Sequence, residues 1–363
     1  MSRPVFVIAE AGVNHDGSLD DALRMVDIAA GAGADAVKFQ TFDATQLATR
    51  RAGKAAYQVR NTGSDNEQLS MLKALELDRD AHRTLADRAA DRGVRFMSTA
   101  FDLDSLAFLA ALDMPAIKIP SGDLTWGAML LKAARLGRPL IVSTGMATLE
   151  EIREALSVIA FALTRDGTPS GEAALKGAFA DPAAQTLLQE RVTLLHCTTE
   201  YPAPLAAVNL RAMTLMAETF SLPVGYSDHT LGTTVSIAAA ARGATVIEKH
   251  FTLDRTRPGP DHAASLEPDE LAAMIAAIRD VETALGEARK APAPEEIANR
   301  AIARRSLVAA RPIAAGEPFS LDNLAAKRPA DGLSPMAIWP LLGQVSPRAA
   351  AAMDTVVPRV WSE

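Results

Sequence analysis

VGYSDHTLG, residues 224–232, is followed by SIAAAARGA at 236–244 and by TVIEKHFTLDRTRPGPDH at 245–262. An apolar segment, 222–226, ends at Ser227, Asp228 and His229. The run 233–242 is alanine-rich and reads as a helix that Gly243 stops. A second apolar segment, 244–247, ends at Glu248, Lys249 and His250. The pattern predicts strand, helix, strand, with a histidine at each strand tail. Parallel neighbours place their tails side by side, so His229 and His250 are expected to reach one point. A lone histidine at a strand end is more often solvated or hydrogen-bonded than a ligand. The spacing of one βα unit is what makes this pair candidate ligands for a divalent metal. Asp261 and His262, in the Pro- and Gly-rich loop beyond, are candidates to add a ligand or to orient one.

The rest of the chain repeats this unit. Apolar segments at 5–9, 34–39, 94–97, 116–119, 140–142 and 192–195 alternate with helical patterns at 18–31, 79–92, 103–112, 128–136, from 148, and at 210–220. A last helix is expected over 266–285, with Pro268 at its start. Eight strand–helix units in about 285 residues predict a parallel sheet, and eight is the number that closes a (β/α)8, or TIM, barrel. An open doubly wound sheet is the alternative, but no GxGxxG follows the first strand. Residues 41–70 are too long and polar for an ordinary connection, and 164–190 read as an insertion with helical character. Pro292 and Pro294 among charges suggest a linker over 287–302, between a barrel at 1–286 and a small β-rich domain at 303–363.

Composition limits the function. At 363 residues the chain suffices for one large domain and a small one. Its net charge of −7 leaves no basic footprint for nucleic acid. No apolar run approaches a membrane span, and residues 5–9 are too short for a signal-peptide core. The single cysteine, Cys197, excludes an internal disulfide and makes the cytoplasm the expected location. Inside VTLLHC it reads as a buried thiol rather than a nucleophile.

Barrel enzymes carry their chemistry at the carboxyl ends of the strands. Here those tails hold Glu10, Lys38, Gln40, Ser98, Thr99, Lys118, Ser121, Ser143, Thr144, His196, Thr199, Ser227, His229, Glu248 and His250. Lysine is rare inside a strand, because burying an unpaired ammonium costs several kcal/mol. Lys38 and Lys118 therefore point to an anionic ligand, with nearby hydroxyls as added donors. The competing reading pairs them with Glu10 and Glu248 in a structural network. A metal beside an anion site suggests a Lewis acid that polarises a carbonyl.

IAEAGVNHDGS, ADAVKFQTF, STAFD, IKIPSGD, STGMATL, HCTTEYPAP, VGYSDHTLG, EKHFTLD and RPGPDH together resemble the sialic acid synthase family, from residue 5 to about 335. RRSLVAARPIAAGEPFSLDNLAAKRP is similar to the start of the antifreeze-like (SAF) domain that follows the barrel in that family. The resemblance implies a transferase that joins phosphoenolpyruvate to N-acetylmannosamine, giving N-acetylneuraminate and phosphate. The alternative is N,N'-diacetyllegionaminate synthesis from 2,4-diacetamido-2,4,6-trideoxymannose. It further implies a divalent metal, most often Mn, on His229 and His250, and a domain-swapped homodimer in which the small domain reaches over the partner's barrel. By motif position, Lys38, Thr99, Lys118, Ser121, Ser143 and Ser227 would contact phosphoenolpyruvate. Glu10 would serve as base or orienter for the attacking water. Thr199 stands where some members have asparagine. Gln40, Asp123, Tyr201 and Asp261 would surround the sugar and metal, and Arg328 of the KRP motif would reach the N-acetyl group across the dimer. Two rivals remain: a non-catalytic sugar- or ice-binding module, and a metal aldolase using pyruvate.

Overall fold

The computed structural model describes residues 4–49, 52–62 and 67–356. Residues 357–363, at the end of the expected small domain, lie outside the described residues, as do 50–51 and 63–66 in the long connection. Eight parallel strands close into a barrel in chain order. They are β1 (Phe6–Gly12), β2 (Ala36–Thr41), β3 (Arg95–Ala100), β4 (Ile117–Ile119), β5 (Leu140–Ser143), β6 (Val192–Cys197), β7 (Val224–Asp228) and β8 (Val246–His250).

The period of two along each strand sorts residues between two cores. Val7, Ala9, Val37, Val142 and Leu194 pack outward against the helices. Ile8, Ala36, Met97, Ala116, Ile141, Leu195 and Val246 pack on one another inside the ring as an apolar floor. Gly225 holds the β7 place in that floor because nothing larger fits. A Cβ there would lie 2.3 Å from the Val246 carbonyl oxygen and 2.7 Å from Leu195 Cδ2. Two residues along from the floor, the same inward phase delivers Glu10, Lys38, Thr99, Lys118, Ser143, Cys197, Ser227 and Glu248. Register sets them beside one another: Glu10 pairs with Lys38 and His250, Thr99 with Lys118, and Ser227 with Cys197 and Glu248.

Local signals account for the helices. Ser18 caps Leu19–Gly31 by accepting from the Asp21 amide at 3.2 Å, and Thr148 with Glu151 closes a capping box on Leu149–Thr164. The expected insertion is two helices, Glu172–Phe179 and Pro182–Arg191. The long connection after β2 also differs from its polar appearance. It holds helices Ala44–Leu47, Ala56–Thr62 and Gln68–Leu75.

The chain divides into two compact units after Gly286. In the second, β9 (Ser306–Ala309) and β10 (Leu324–Lys327) pair antiparallel over a small core of Leu307, Ala309, Ile313, Phe319, Leu324 and Val356. The expected linker is corrected in one respect. Much of it is the helix Pro294–Ala303. Pro294 occupies the first turn, where its missing N–H costs nothing, and Glu295 and Glu296 favour that positive end. Among the described residues no helix is long and apolar enough to cross a membrane.

Candidate active site

A cavity of about 380 Å3 opens at the carboxyl end of the barrel. Its lining includes Glu10, Lys38, Gln40, Thr99, Lys118, Ser121, Ser143, Thr199, Tyr201, Ser227, His229, His250 and Asp261, so most of the residues singled out in the sequence meet there. Two do not. Asp123 sits beyond the lining in the turn Ser121–Asp123, where burial pushes its carboxyl up to about 6. Arg328 is exposed on the second unit, and its role at an N-acetyl group rests on the resemblance alone. A larger depression of about 830 Å3 lies beside Asp102, but that carboxylate is already taken by the Asp43 amide and by Ser105.

At the cavity floor the two lysines and two glutamates form one buried network. The Lys38 ammonium is paired with Glu10, lies 3.5 Å from Glu248, and donates to Thr99 Oγ1 at 3.0 Å. Lys118 donates to Ser143 Oγ at 2.7 Å and lies 3.6 Å from Glu248. The ion-pair reading of the lysines is therefore correct as far as it goes. Four buried charges need partners, since leaving one ion unpaired costs several kcal/mol. The same network lines the cavity, so the pairing does not remove the lysines from a ligand's reach.

The four groups are not held alike. Burial, which Lys38 only partly offsets and Glu248 reinforces, pushes the Glu10 carboxyl up to about 7. Burial would raise Glu248 as well, but Lys118 and Lys38 outweigh it and hold that carboxyl near 2. Burial lowers Lys118, whereas at Lys38 the two glutamates outweigh burial and the ammonium is held above its usual range. Glu248 is thus the carboxylate that both lysines keep ionised, while burial works against charge on Glu10 and Lys118. Glu248 was placed at a strand tail by the sequence but not among the site residues. It accepts from Ser227 Oγ at 2.7 Å and is the anion that both lysines share.

A hydroxyl cluster flanks the network. Ser121 Oγ accepts from the Gly145 amide at 3.0 Å and lies 3.2 Å from Cys197 Sγ, while Thr199 Oγ1 is buried without a partner among the described residues. Gly145 lets the backbone come this close. A Cβ would stand 2.4 Å from Thr199 Oγ1 and 2.8 Å from Ser121 Oγ. Cys197 is buried, and burial pushes its thiol up, in keeping with an unreactive group.

The two histidines converge. The His229 and His250 ring centroids are 5.8 Å apart. The His229 Nδ1–H donates to the Thr198 carbonyl at 2.6 Å, which leaves Nε2 with its lone pair. His250 Nδ1 is buried with no partner among the described residues. Burial holds His229 down at about 4 and His250 well below its usual range, so both rings are neutral, as metal ligation requires. Tyr201 stacks on His229 at 4.1 Å and fixes its plane. Among the described residues no group of three or more His, Cys, Asp or Glu side chains forms a closed metal cage. The residues fit an ion held by two imidazoles, with its remaining positions open to water and substrate. Asp261, raised to about 6 by burial, lies alongside in the lining. His262 is corrected as a candidate ligand: its nitrogens are taken by Thr252 Oγ1 at 2.7 Å and Asp16 at 3.0 Å. His196 faces outward, donating to the Val208 carbonyl at 2.7 Å.

The sequence reading missed the roof. Tyr57 and Gln58 from helix Ala56–Thr62, and Met71, Leu72 and Leu75 from helix Gln68–Leu75, complete the lining. Asn61 anchors the first helix by donating to the Pro260 carbonyl at 2.6 Å, and Tyr57 packs 5.0 Å from Tyr201.

Residues 25–290 match the NeuB family, and residues 304–352 match the SAF domain. The N,N'-diacetyllegionaminic acid synthase of Campylobacter jejuni is 46% identical over 344 residues, covering 95% of this chain and 96% of that protein. The enzyme of the same name from Legionella pneumophila is 43% identical over 342 residues, covering 94% and 90%. The N-acetylneuraminic acid (sialic acid) synthetase of Leptospira borgpetersenii, solved with citrate, superposes with a TM-score of 0.65 at 32% identity, covering 82% of this chain and 90% of that one. A match running from the first barrel helix past the last, with relatives alike over almost the whole length, makes this chain a member of the NeuB family.

Proposed function

We propose that this protein is a nonulosonic acid synthase that joins phosphoenolpyruvate, a 2,4-diacetamido-2,4,6-trideoxymannose and water to give N,N'-diacetyllegionaminate and phosphate. The geometry that supports the reaction class is the buried ring of Glu10, Lys38, Lys118 and Glu248 beside the neutral His229–His250 pair. The sugar rests on the two legionaminic acid synthases, each similar over at least 94% of this chain. The relatives thus favour the alternative in the sequence reading over N-acetylmannosamine.

In this reading Lys38 and Lys118 exchange part of their carboxylate pairing for the phosphate and carboxylate of phosphoenolpyruvate. Thr99, Ser121, Ser143, Thr199 and Ser227 add hydroxyl donors. His229 and His250 are the residues that would hold a divalent metal, most often Mn in the resembling family. When bound, it would supply Lewis-acid polarisation of the sugar's aldehyde oxygen. The methylene carbon of phosphoenolpyruvate forms the new bond to the aldehyde carbon. Glu10 takes a proton from the water that adds to the former enol carbon, which balances the proton that the former aldehyde oxygen gains in becoming a hydroxyl. Phosphate then leaves with cleavage of its carbon–oxygen bond. The roof residues Tyr57, Gln58, Met71, Leu72 and Leu75 limit bulk water around that carbon.

Phosphate release measured side by side with the two sugars, at equal phosphoenolpyruvate and Mn, tests the assignment. A higher kcat/KM for the diacetamido sugar is expected. The reverse order would overturn the sugar, and no release with either would overturn the reaction class. Turnover with pyruvate instead of phosphoenolpyruvate would favour the aldolase reading. For the metal, His250→Ala is expected to lose most of the Mn that equilibrium dialysis finds on the wild type, with an unchanged circular dichroism spectrum. Full retention would remove the imidazole pair as its holder.

A further inference from the structure

The cavity has two chemically distinct halves. The ring at the strand tails is ionic. Beyond it stands a wall made of Val13, Leu47, Met71, Leu72, Leu75 and Phe101, with no charged group among them. The wall is built into the molecule. Val13 and Leu75 are buried with Phe42 in a small core of their own, and Leu47, Met71, Leu72 and Phe101 pack on it. Helix Gln68–Leu75 is two-faced. Met71, Leu72 and Leu75 line the cavity, while Lys73 lines the depression on the other side. Gln58 and Gln68 also belong to the lining, and Gln58 Oε1 already accepts from the Ala55 amide at 2.9 Å.

The two ends of the proposed reaction assign the polar half. The anion falls to the lysines on β2 and β4, and the aldehyde falls to the imidazoles at the tails of β7 and β8. The far end of a six-carbon sugar chain is then left with the wall. A methyl group there covers apolar surface. A hydroxymethyl group would give up its water hydrogen bonds and find no partner among those six side chains. We propose that this wall selects sugars lacking the C6 hydroxyl, with Met71 and Leu72 as the specificity-determining residues. The proposal rests on the reaction assigned above and names the part of the site that reads deoxygenation.

The test compares N-acetylmannosamine with its 6-deoxy analogue, two sugars that differ by one oxygen, at saturating phosphoenolpyruvate and Mn. An apolar site of this kind discriminates by about 10- to 100-fold in kcat/KM, and the wild type is expected to favour the deoxy sugar by that factor. Met71→Gln and Leu72→Asn are each expected to shrink the ratio at least about threefold, with KM for phosphoenolpyruvate unchanged, whereas Met71→Leu should keep it. Both positions are half-buried, so the polar variants are expected to fold, and circular dichroism checks this. A wild type that turns over both sugars equally, or polar variants that keep the full preference, would overturn the wall assignment. If neither sugar is turned over, calorimetric binding of the same two sugars to wild type and variants decides the wall on the same ratio, while the reaction assignment stands or falls on the diacetamido sugar.

Discussion

Replacing Glu10 by glutamine is expected to lower kcat by about 10²- to 10⁴-fold, the usual contribution of a positioned base. Glutamine keeps the shape and can still accept from Lys38, so the buried network should survive and the fold with it. What is lost is a group able to take a proton. The direction of the pH effect follows from the carboxyl's position. A base acts only when ionised, and burial holds Glu10 at about 7. In the free enzyme the ionised fraction therefore falls as pH drops through 7, and kcat/KM should fall about tenfold per unit below that point. In Glu10→Gln this acid limb should be absent from the residual activity. A variant that keeps the limb would move the base elsewhere, and Asp261, raised to about 6 in the same lining, would be the group to replace next.

Most of the site residues that the sequence disclosed share one physical property: they sit in regular strands, as Glu10, Lys38, Thr99, Lys118, Ser143, Ser227 and His250 do, or directly past one, as His229 does. At period two, a polar residue that breaks an apolar strand can point only into the ring or into the helices. Lys38 and Lys118 could be read as inward because a buried ammonium is too costly to be incidental. His229 and His250 were legible through their one-unit spacing, which fixes the distance between neighbouring tails. Glu248 was visible as a tail residue, but its place between two lysines depends on register, which the chain does not display locally. The same holds for His262, whose partners Thr252 and Asp16 come from different segments.

The roof was opaque for a different reason. Met71, Leu72 and Leu75 have helical spacing, but they follow a polar stretch whose helices are short and are held by distant contacts, such as that between Asn61 and the Pro260 carbonyl. Such segments take their structure from tertiary packing rather than from propensity. Pro294 was ambiguous for a related reason. Proline signals a break in one context and a helix start in another, and only the following turn, with Glu295 and Glu296, distinguishes them.

Lys249→Met is expected to cost the barrel about 3–5 kcal/mol of stability, the range found when one member of a buried ion pair is removed. Lys249 and Asp228 are both fully buried, with Nζ 3.2 Å from Oδ2. The Asp228 carboxylate also accepts from the Thr230 amide at 2.8 Å, Thr230 Oγ1 at 2.7 Å and Ser236 Oγ at 2.6 Å, and Lys249 donates to the Thr230 carbonyl. Methionine matches the lysine stem but leaves that carboxylate without its counter-ion, where water cannot reach it. The midpoint of thermal unfolding should fall by roughly 10 °C. If the loss comes from the orphaned charge, Asp228→Asn in the Lys249→Met background should restore part of it, giving a coupling of roughly 0.5–3 kcal/mol in a double-mutant cycle. Strict additivity would mean that the pair contributes nothing beyond packing. The pair also adjoins the site: Asp228 precedes His229 and Lys249 precedes His250. Lys249→Met should therefore weaken Mn binding in equilibrium dialysis at temperatures where the variant is still folded, and the double variant should recover it alongside stability. Recovery of stability without recovery of Mn binding would separate the two roles and confine the pair to holding the barrel together.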